Sequence, residues 1–303
     1  MPTARTPPSP PAVALKKQAM ALDAEMIRRL RAARRLSFRL VHEIRLTTKQ
    51  QRAWWQLMRR TAGKTTVRNA GERLAGAARL LAPARDAYVM RRTVGRLARE
   101  VGPGAAKVAF AATTSELGAV PAGGPPKAFP VLREQLIRLL VSDIASWRRL
   151  PVPPDADARL LAAVADTYRR ARRRERRALH RPTPANLHVW RKWVKMLVIH
   201  TALVLGQRRS GLRTEIPRLV RLGRQLGRYH DLMVLDGWLA WRASSGAISA
   251  KDARRMRVLL ARRQENLRSR CLRLGGRLFA AKPKVFALRL PKAARTFPPL
   301  IKV

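Results

Sequence analysis

Acidic residues are scarce in this sequence, and cysteine is almost absent. The 303 residues include 18 aspartates and glutamates against 65 lysines and arginines, which gives a formal net charge of +47. The single cysteine, Cys271, excludes an intramolecular disulfide and a thiolate zinc cluster, and it fits a reducing cytoplasm. Because so much positive charge destabilises a compact chain unless anions bind it, we expect a polyanionic partner: nucleic acid, an anionic membrane surface or inorganic polyphosphate.

Long apolar runs and alternating strand patterns are also missing. The longest apolar stretch, residues 196–205, has about half of the roughly 20 residues that a membrane span requires, and His200 interrupts it. Prolines occupy the N-terminus where a signal peptide would need an apolar run, so residues 1–12 are predicted to be a flexible extension. We therefore predict no membrane segment and an all-α fold with helices packed as bundles.

The pattern H-x-x-R-x-x-x-K occurs twice in the chain. The members of the two copies are His42, Arg45 and Lys49, and His188, Arg191 and Lys195. Steps of three and four residues put each set on one arc of a helix, with Arg52 and Lys192 at the edges of the two arcs. The opposite arcs form apolar stripes, which are made of Leu40, Ile44, Trp55 and Met58, and of Trp190, Trp193, Leu197 and Val204. Each copy thus predicts a helix with an apolar back and a cationic front.

Further matches support a tandem duplication. Asp86 follows His42 by 44 residues, and Asp231 follows His188 by 43. Basic runs precede the two histidines at matching distances, since Arg31 and Arg177 each lie eleven residues before their histidine. We predict a structural role for the two aspartates, which would cap a helix or orient an arginine.

The proline-rich segment 150–157 separates the two predicted halves. Residues 13–150 are predicted to form the first helical bundle and residues 155–281 the second, with a loose tail at 282–303. Ser37 and Thr183 are predicted N-caps of the two motif helices. Residues 214–227 and 229–243 are predicted as two short helices, and a long last helix is predicted to begin at Ser249 and to run toward residue 278. Facing halves related by a pseudo-two-fold axis would set the two cationic fronts against one shared groove.

These motifs resemble the conserved histidine α-helical domain, or CHAD, family. The second half contains LHVWRKWVK and QLGRYHDLMVL, and the first contains VHEIRLTTKQQRA and ARDAYV, with Arg85 where the second has His230. The resemblance implies two four-helix halves that bind inorganic polyphosphate in a basic central groove, without known catalysis or a cofactor, at cytoplasmic polyphosphate granules. Some relatives carry a triphosphate-tunnel (CYTH) domain with an E-x-E-x-K strand motif. That motif is missing from this chain, which resembles the standalone members.

The predicted polyphosphate site joins the motif residues to their flanking cations. Its members are His42, Arg45, Lys49, Arg52, His188, Arg191, Lys192, Lys195, Arg31, Arg177 and His230. Rows of such donors at one-turn steps match a linear run of phosphate oxygens. His200 lies on another face and is predicted to be a core residue.

Two alternative functions remain open at this point. A nucleic-acid-compacting protein would also carry this charge, and weak non-specific binding of nucleic acid is expected in any case, although no recognisable duplex-binding motif is present. A phosphatase or triphosphatase would need carboxylates to hold Mg²⁺, and 18 acidic residues among 65 basic ones leave few for that purpose. The spacing of histidines predicts no metal site. The sequence indicates no oligomeric state.

Overall fold

All regular structure in the described part of the chain is α-helical. This computed structural model describes residues 11–100, 113–114, 129–205 and 214–290. The helices, numbered in chain order, are α1 (Pro11–Ala32), α2 (Phe38–Leu57), α3 (Arg59–Ala62), α4 (Lys64–Leu80), α5 (Ala82–Glu100), α6 (Phe129–Arg149), α7 (Ala156–His180), α8 (Pro184–Leu205), α9 (Glu215–Ser244), α10 (Ala250–Leu278) and α11 (Pro283–Leu288). The predicted all-α fold class is confirmed.

Side-chain caps fix the starts of three of the long helices, α2, α8 and α10. The hydroxyl of Ser37 accepts a hydrogen bond from the amide of Leu40 at 3.2 Å, and Ser249 accepts one from the amide of Asp252 at 3.1 Å. Thr183 accepts in the same way before α8. These bonds satisfy amides that have no partner within the helix, so the two predicted caps, Ser37 and Thr183, are confirmed, and the last long helix begins at Ser249 as predicted.

The helices of each half pack in a closed ring. In the first half, α1 and α4 each pack against both α2 and α6. In the second half, α7 and α9 each pack against both α8 and α10. The ring order follows the chain order in both halves, and α5 lies outside the first ring, where it packs against α2, α4 and α9.

A shared core joins the two halves. Trp54 and Trp55 of α2 belong to the same apolar cluster as Trp190 and Leu197 of α8, and none of the four is more than 2% exposed. His200 of α8 also links the two halves, since its Nε2 donates a hydrogen bond to the carbonyl oxygen of Ala53 on α2 at 2.7 Å. Burial lowers the pKa of His200 to about 4, so the ring is neutral, and the prediction of a core histidine is confirmed.

The apolar stripes of the motif helices are mostly buried as predicted. Trp193 differs, because it is only partly buried and lies beneath the guanidinium of Arg170, 5.0 Å from the ring centroid. The side chain of Val204 lies outside the described residues.

The prediction of two short helices between residues 214 and 243 was wrong. One continuous helix, α9, spans this region, with Gly223 and Gly227 in its buried interior. A Cβ at Gly223 would lie 3.7 Å from Cγ1 of Val194, and one at Gly227 would lie 3.9 Å from Nε of Arg191. Close packing against α8 therefore outweighs the weak helix propensity of these glycines, of which Gly227 ended the first predicted helix.

The predicted ends of the folded region also need correction. Pro11 and Ala12, placed in the flexible extension 1–12, are buried residues of α1, while residues 1–10 lie outside the described part. The tail predicted to be loose from residue 282 instead begins with α11. The ring of Phe286 stacks on that of Tyr168, with centroids 3.9 Å apart and planes within 4° of parallel, which explains why this segment is ordered.

Two carboxyl groups face each other in the core of the first half. Asp23 and Asp143 have no solvent exposure. Asp143 accepts hydrogen bonds from the indole nitrogens of Trp55 at 3.0 Å and of Trp147 at 3.1 Å. Burial, assisted by the neighbouring Asp143, raises the pKa of Asp23 to about 9. Asp23 is therefore protonated at neutral pH, which avoids two adjacent buried negative charges.

We predict that Gly275→Ala destabilises the fold. A Cβ there would lie 2.5 Å from Cη2 and Cζ2 of the fully buried ring of Trp190, which has no room to move. Such overpacking typically costs about 1–3 kcal/mol. Urea unfolding measures the loss. The adjacent Gly276→Ala is a matched control, because nothing lies within 4 Å of its added Cβ, and it should be neutral or stabilising by up to about 1 kcal/mol. Equal stability of the two variants would contradict this packing.

We also predict that Asp23→Asn stabilises the protein at alkaline pH. The pKa of Asp23 is about 9 when folded against 3.8 for a free side chain, so the wild type loses stability as pH rises through this range. Asparagine cannot ionise, so its advantage should grow from near zero at pH 4 by up to about 1.4 kcal/mol per pH unit as pH rises toward 8. Urea unfolding of both proteins at several pH values tests this. Parallel pH profiles would show that Asp23 does not carry the shifted pKa.

Candidate functional site

Cations from both motif copies meet where α2 packs against α8. Arg45, Arg85, Arg191 and Lys195 all act electrostatically on Lys49, and each lowers its pKa. We call these five residues the cation cluster. Its members come from α2, α5 and α8, so residues far apart in the chain form one site.

Packing behind the helices forces this juxtaposition. Ile44 and Trp55 on α2 and Trp190 and Leu197 on α8 are fully buried, so the opposite, cationic arcs of both helices face outward beside one another. Arg45 is held further by a hydrogen bond from Nη1 to the carbonyl oxygen of Ala78 at 2.8 Å. The cationic side chains are thus positioned by rigid elements.

Loss of hydration lowers the pKa of both lysines of the cation cluster. Together with neighbouring cations, it lowers the pKa of Lys49 to about 7 and that of Lys195 to about 8. Lys49 nevertheless keeps an exposed side chain. The lysines therefore lie near their titration midpoints at neutral pH, whereas the arginines stay charged.

Two carboxylates orient Arg85. Its Nη1 lies 2.6 Å from Oδ1 of Asp86, and its Nη2 lies 3.4 Å from Oδ1 of Asp231 on α9. Burial raises the pKa of Asp231, against the opposing effect of Arg85, Arg191 and Lys195. The contacts agree with the orienting role predicted for both aspartates.

Arg85 was not among the predicted site residues. The signal that could have identified it is the alignment of the repeats, which places Arg85 at the position of His230. Arg96, also on α5, lowers the pKa of Asp231. The sequence analysis did not include it, because no motif marks it.

His188 and His230 form a pair beside the cluster. Their Nδ1 atoms are 3.3 Å apart and their ring centroids 4.5 Å apart. Burial lowers the pKa of both rings, and Lys192 and Arg191 add to the effect on His188. One neutral ring can therefore donate to the other, which an imidazolium pair could not do.

The remaining predicted site residues are not joined to the cluster. His42, Arg31 and Arg177 are exposed, and no described interaction links them to it. Arg52 is exposed next to Arg79, and Lys192 is exposed next to His188. The structure pairs His188 with His230, whereas the motif repeat had made His42 its counterpart.

The chemistry of the cluster is that of anion binding. Among the described residues, no group of three or more histidine, cysteine, aspartate or glutamate side chains could hold a metal ion. Arginine and lysine offer several donors each to oxyanions, and these donors converge here from three helices.

No helix within the described ranges is both long and apolar enough to cross a membrane.

Comparison with known proteins supports a family assignment. No curated protein sequence and no solved structure matches the chain. The family model of the CHAD domain matches residues 18–240, a range that contains both histidine motifs and the entire cation cluster. Because this match covers most of the sequence, the chain belongs to the CHAD domain family.

Proposed function

We propose that this chain binds inorganic polyphosphate without catalysing a reaction on it. The ligand would lie in a basic groove between two four-helix bundles. The observation that carries the proposal is the convergence of the cation cluster, in which residues of both motif copies act on Lys49. Membership of the CHAD family, which is associated with polyphosphate binding, supports the same ligand. We extend the proposal to association with polyphosphate granules in the cytoplasm.

The packing of the helices supports the two-bundle arrangement. Each half has a closed ring of four helices in chain order, and the motif helices α2 and α8 occupy the second place in their rings. A pseudo-two-fold axis between the rings would relate α2 to α8, which pack directly against each other.

The environment of the cluster supports an open groove. Lys49 is exposed, yet protein surrounds it closely enough to remove much of its hydration. A side chain on the wall of a groove combines these two properties. In addition, Nε of Arg191 is buried and has no hydrogen-bond partner in the described part of the chain, so a donor stands available for an anion that enters.

The ligand that fits such a site is a linear polyanion. Successive members of each motif are one helical turn apart, about 5.4 Å along the axis, so they can contact successive phosphates of one chain. Asp86 and Asp231, the carboxylates in contact with Arg85, are oriented toward this arginine. The contacts with Arg85 offset part of the negative charge of both carboxylates and so weaken them as ligands for Mg²⁺, which supports a binding role.

We predict that charge removal on α2 and on α8 weakens polyphosphate binding non-additively. Arg45→Gln with Lys49→Gln, and Arg191→Gln with Lys195→Gln, should each lower affinity for short chains by about tenfold or more, since charge-assisted bonds contribute about 1.5–3 kcal/mol each. Because one chain contacts both helices, the fourfold variant should lose less than the two losses summed. Titration calorimetry at fixed salt measures all four proteins.

Two controls make this test specific. Arg138→Gln with Arg149→Gln removes the same charge from exposed positions on α6 and should change affinity less than about twofold. Duplex DNA is the second control, because its weaker, non-specific binding should respond similarly to every pair of charges removed. Additive losses would separate the two helices into independent patches. Equal losses for DNA and polyphosphate would favour the nucleic-acid function instead.

We further predict that polyphosphate binds more tightly as pH falls from about 9 to 6. The pKa values of Lys49 and Lys195 are lowered to about 7 and 8 in the free protein, and a bound polyanion must raise them. Binding then takes up protons, with a slope of log affinity against pH no steeper than about −2 from these two groups. Long polyphosphate chains should be used, because the end groups, which titrate in this pH range, are then few relative to the internal phosphates.

Lys49→Arg with Lys195→Arg tests the origin of this pH dependence. The guanidinium group stays charged over the whole range, so the slope above pH 7 should flatten. His188→Gln with His230→Gln should affect only the lower part of the profile, because burial lowers the pKa of both rings. An unchanged slope in the arginine variant would show that these lysines do not touch the ligand.

A further inference from the structure

A cavity lies apart from the cation cluster and shares no residue with it. It has a volume of about 380 Å³ and is bounded by the start of α9, the end of α10, α11 and one residue of α7. This volume falls within the range of small-ligand sites. The walls from α10 and α11 lie beyond residue 240, where the family match ends.

The floor of this cavity is apolar. Leu219 and Leu274 line it together with the rings of Tyr168 and Phe286, which stack on each other. The hydroxyl of Tyr168 is already used, since it donates to the carbonyl oxygen of Ala281 at 2.9 Å. The floor therefore presents flat and aliphatic carbon surface rather than hydrogen-bonding groups.

The rim of the cavity is cationic. It is lined by Arg218, Arg221 and Arg277. None of the three forms an ion pair with another described residue. The acidic residue of the lining, Glu215, is paired with Arg289 at 2.7 Å, so these two charges offset each other. Three guanidinium groups remain available for an anion.

The cavity and Asp231, which contacts Arg85 of the cation cluster, lie on different faces of α9. Arg218 precedes Asp231 by 13 residues, which places it about 140° around the helix and roughly 20 Å along its axis. A small ligand that fits the cavity therefore does not reach the cation cluster.

We propose that this cavity binds a small organic phosphate with a flat apolar body, of which a nucleotide is the simplest example. The base would lie against the apolar floor, and the phosphates would contact the arginine rim. An inorganic phosphate chain has no group that matches the floor, whereas an uncharged aromatic compound would leave the three arginines unused. This site is independent of the proposed polyphosphate groove.

The test compares ATP with tripolyphosphate, which has a similar charge but no apolar body. Because the cation cluster would itself bind tripolyphosphate, titration calorimetry uses the full chain with the substitutions Arg45→Gln, Lys49→Gln, Arg191→Gln and Lys195→Gln. In this background ATP should bind about tenfold or more tightly than tripolyphosphate, because burying the base contributes about 1.4 kcal/mol or more. Arg221→Gln with Arg277→Gln should weaken ATP binding about tenfold or more. Leu274→Ala should weaken ATP binding and leave tripolyphosphate binding unchanged.

Arg254→Gln with Arg270→Gln is the matched control. Both residues are exposed on α10 and form no described ion pair, so this variant has the same charge as the rim variant and should bind ATP normally. The proposal is overturned if ATP and tripolyphosphate bind alike. It is also overturned if the rim and control variants lose ATP affinity equally, which would indicate general charge attraction. Because the rim variants change exposed side chains, circular dichroism should show an unaltered fold.

Discussion

The approach of two cationic helix faces depends on the apolar packing behind them. Two like charges 4 Å apart near a protein surface repel by about 4 kcal/mol. Loss of one buried tryptophan side chain costs about 3–5 kcal/mol. Trp54, Trp55 and Trp190 lie in one core across the seam, so their burial opposes the repulsion of the cluster in front of them. Repulsion between the cations thus raises the free energy of the protein without ligand, and a bound anion would lower it.

Much of the fold follows from helical periodicity and caps. Both histidine motifs lie on helices, and most residues of the apolar stripes behind them are buried, as predicted. Helices also begin at Ser37, Thr183 and Ser249, as predicted. Errors arose where tertiary contacts override local preference. The glycines of α9 do not break the helix because α8 packs against them, and stacking on Tyr168 holds the start of the tail, helix α11, in place.

The candidate site was predictable in outline but not in its asymmetry. The repeat made His42 and His188 equivalent, yet His188 pairs with His230, which the first half replaces by Arg85. No periodicity within one helix can reveal which partner a side chain meets on another helix. The result is a site with a permanently charged arginine on one side and two neutral, titratable rings on the other.

Direct packing of α2 against α8 also sets a length scale for recognition. Axes of packed helices lie about 8–10 Å apart, so any space between their outward faces is narrow. The major groove of DNA is already about 12 Å wide, and a whole duplex is wider still. In the proposed groove a duplex would therefore touch only the outer edges of these faces, whereas a single file of phosphates would fit between them. Selection at this seam would be by ligand thickness, a criterion that needs neither sequence reading nor a fixed chain length.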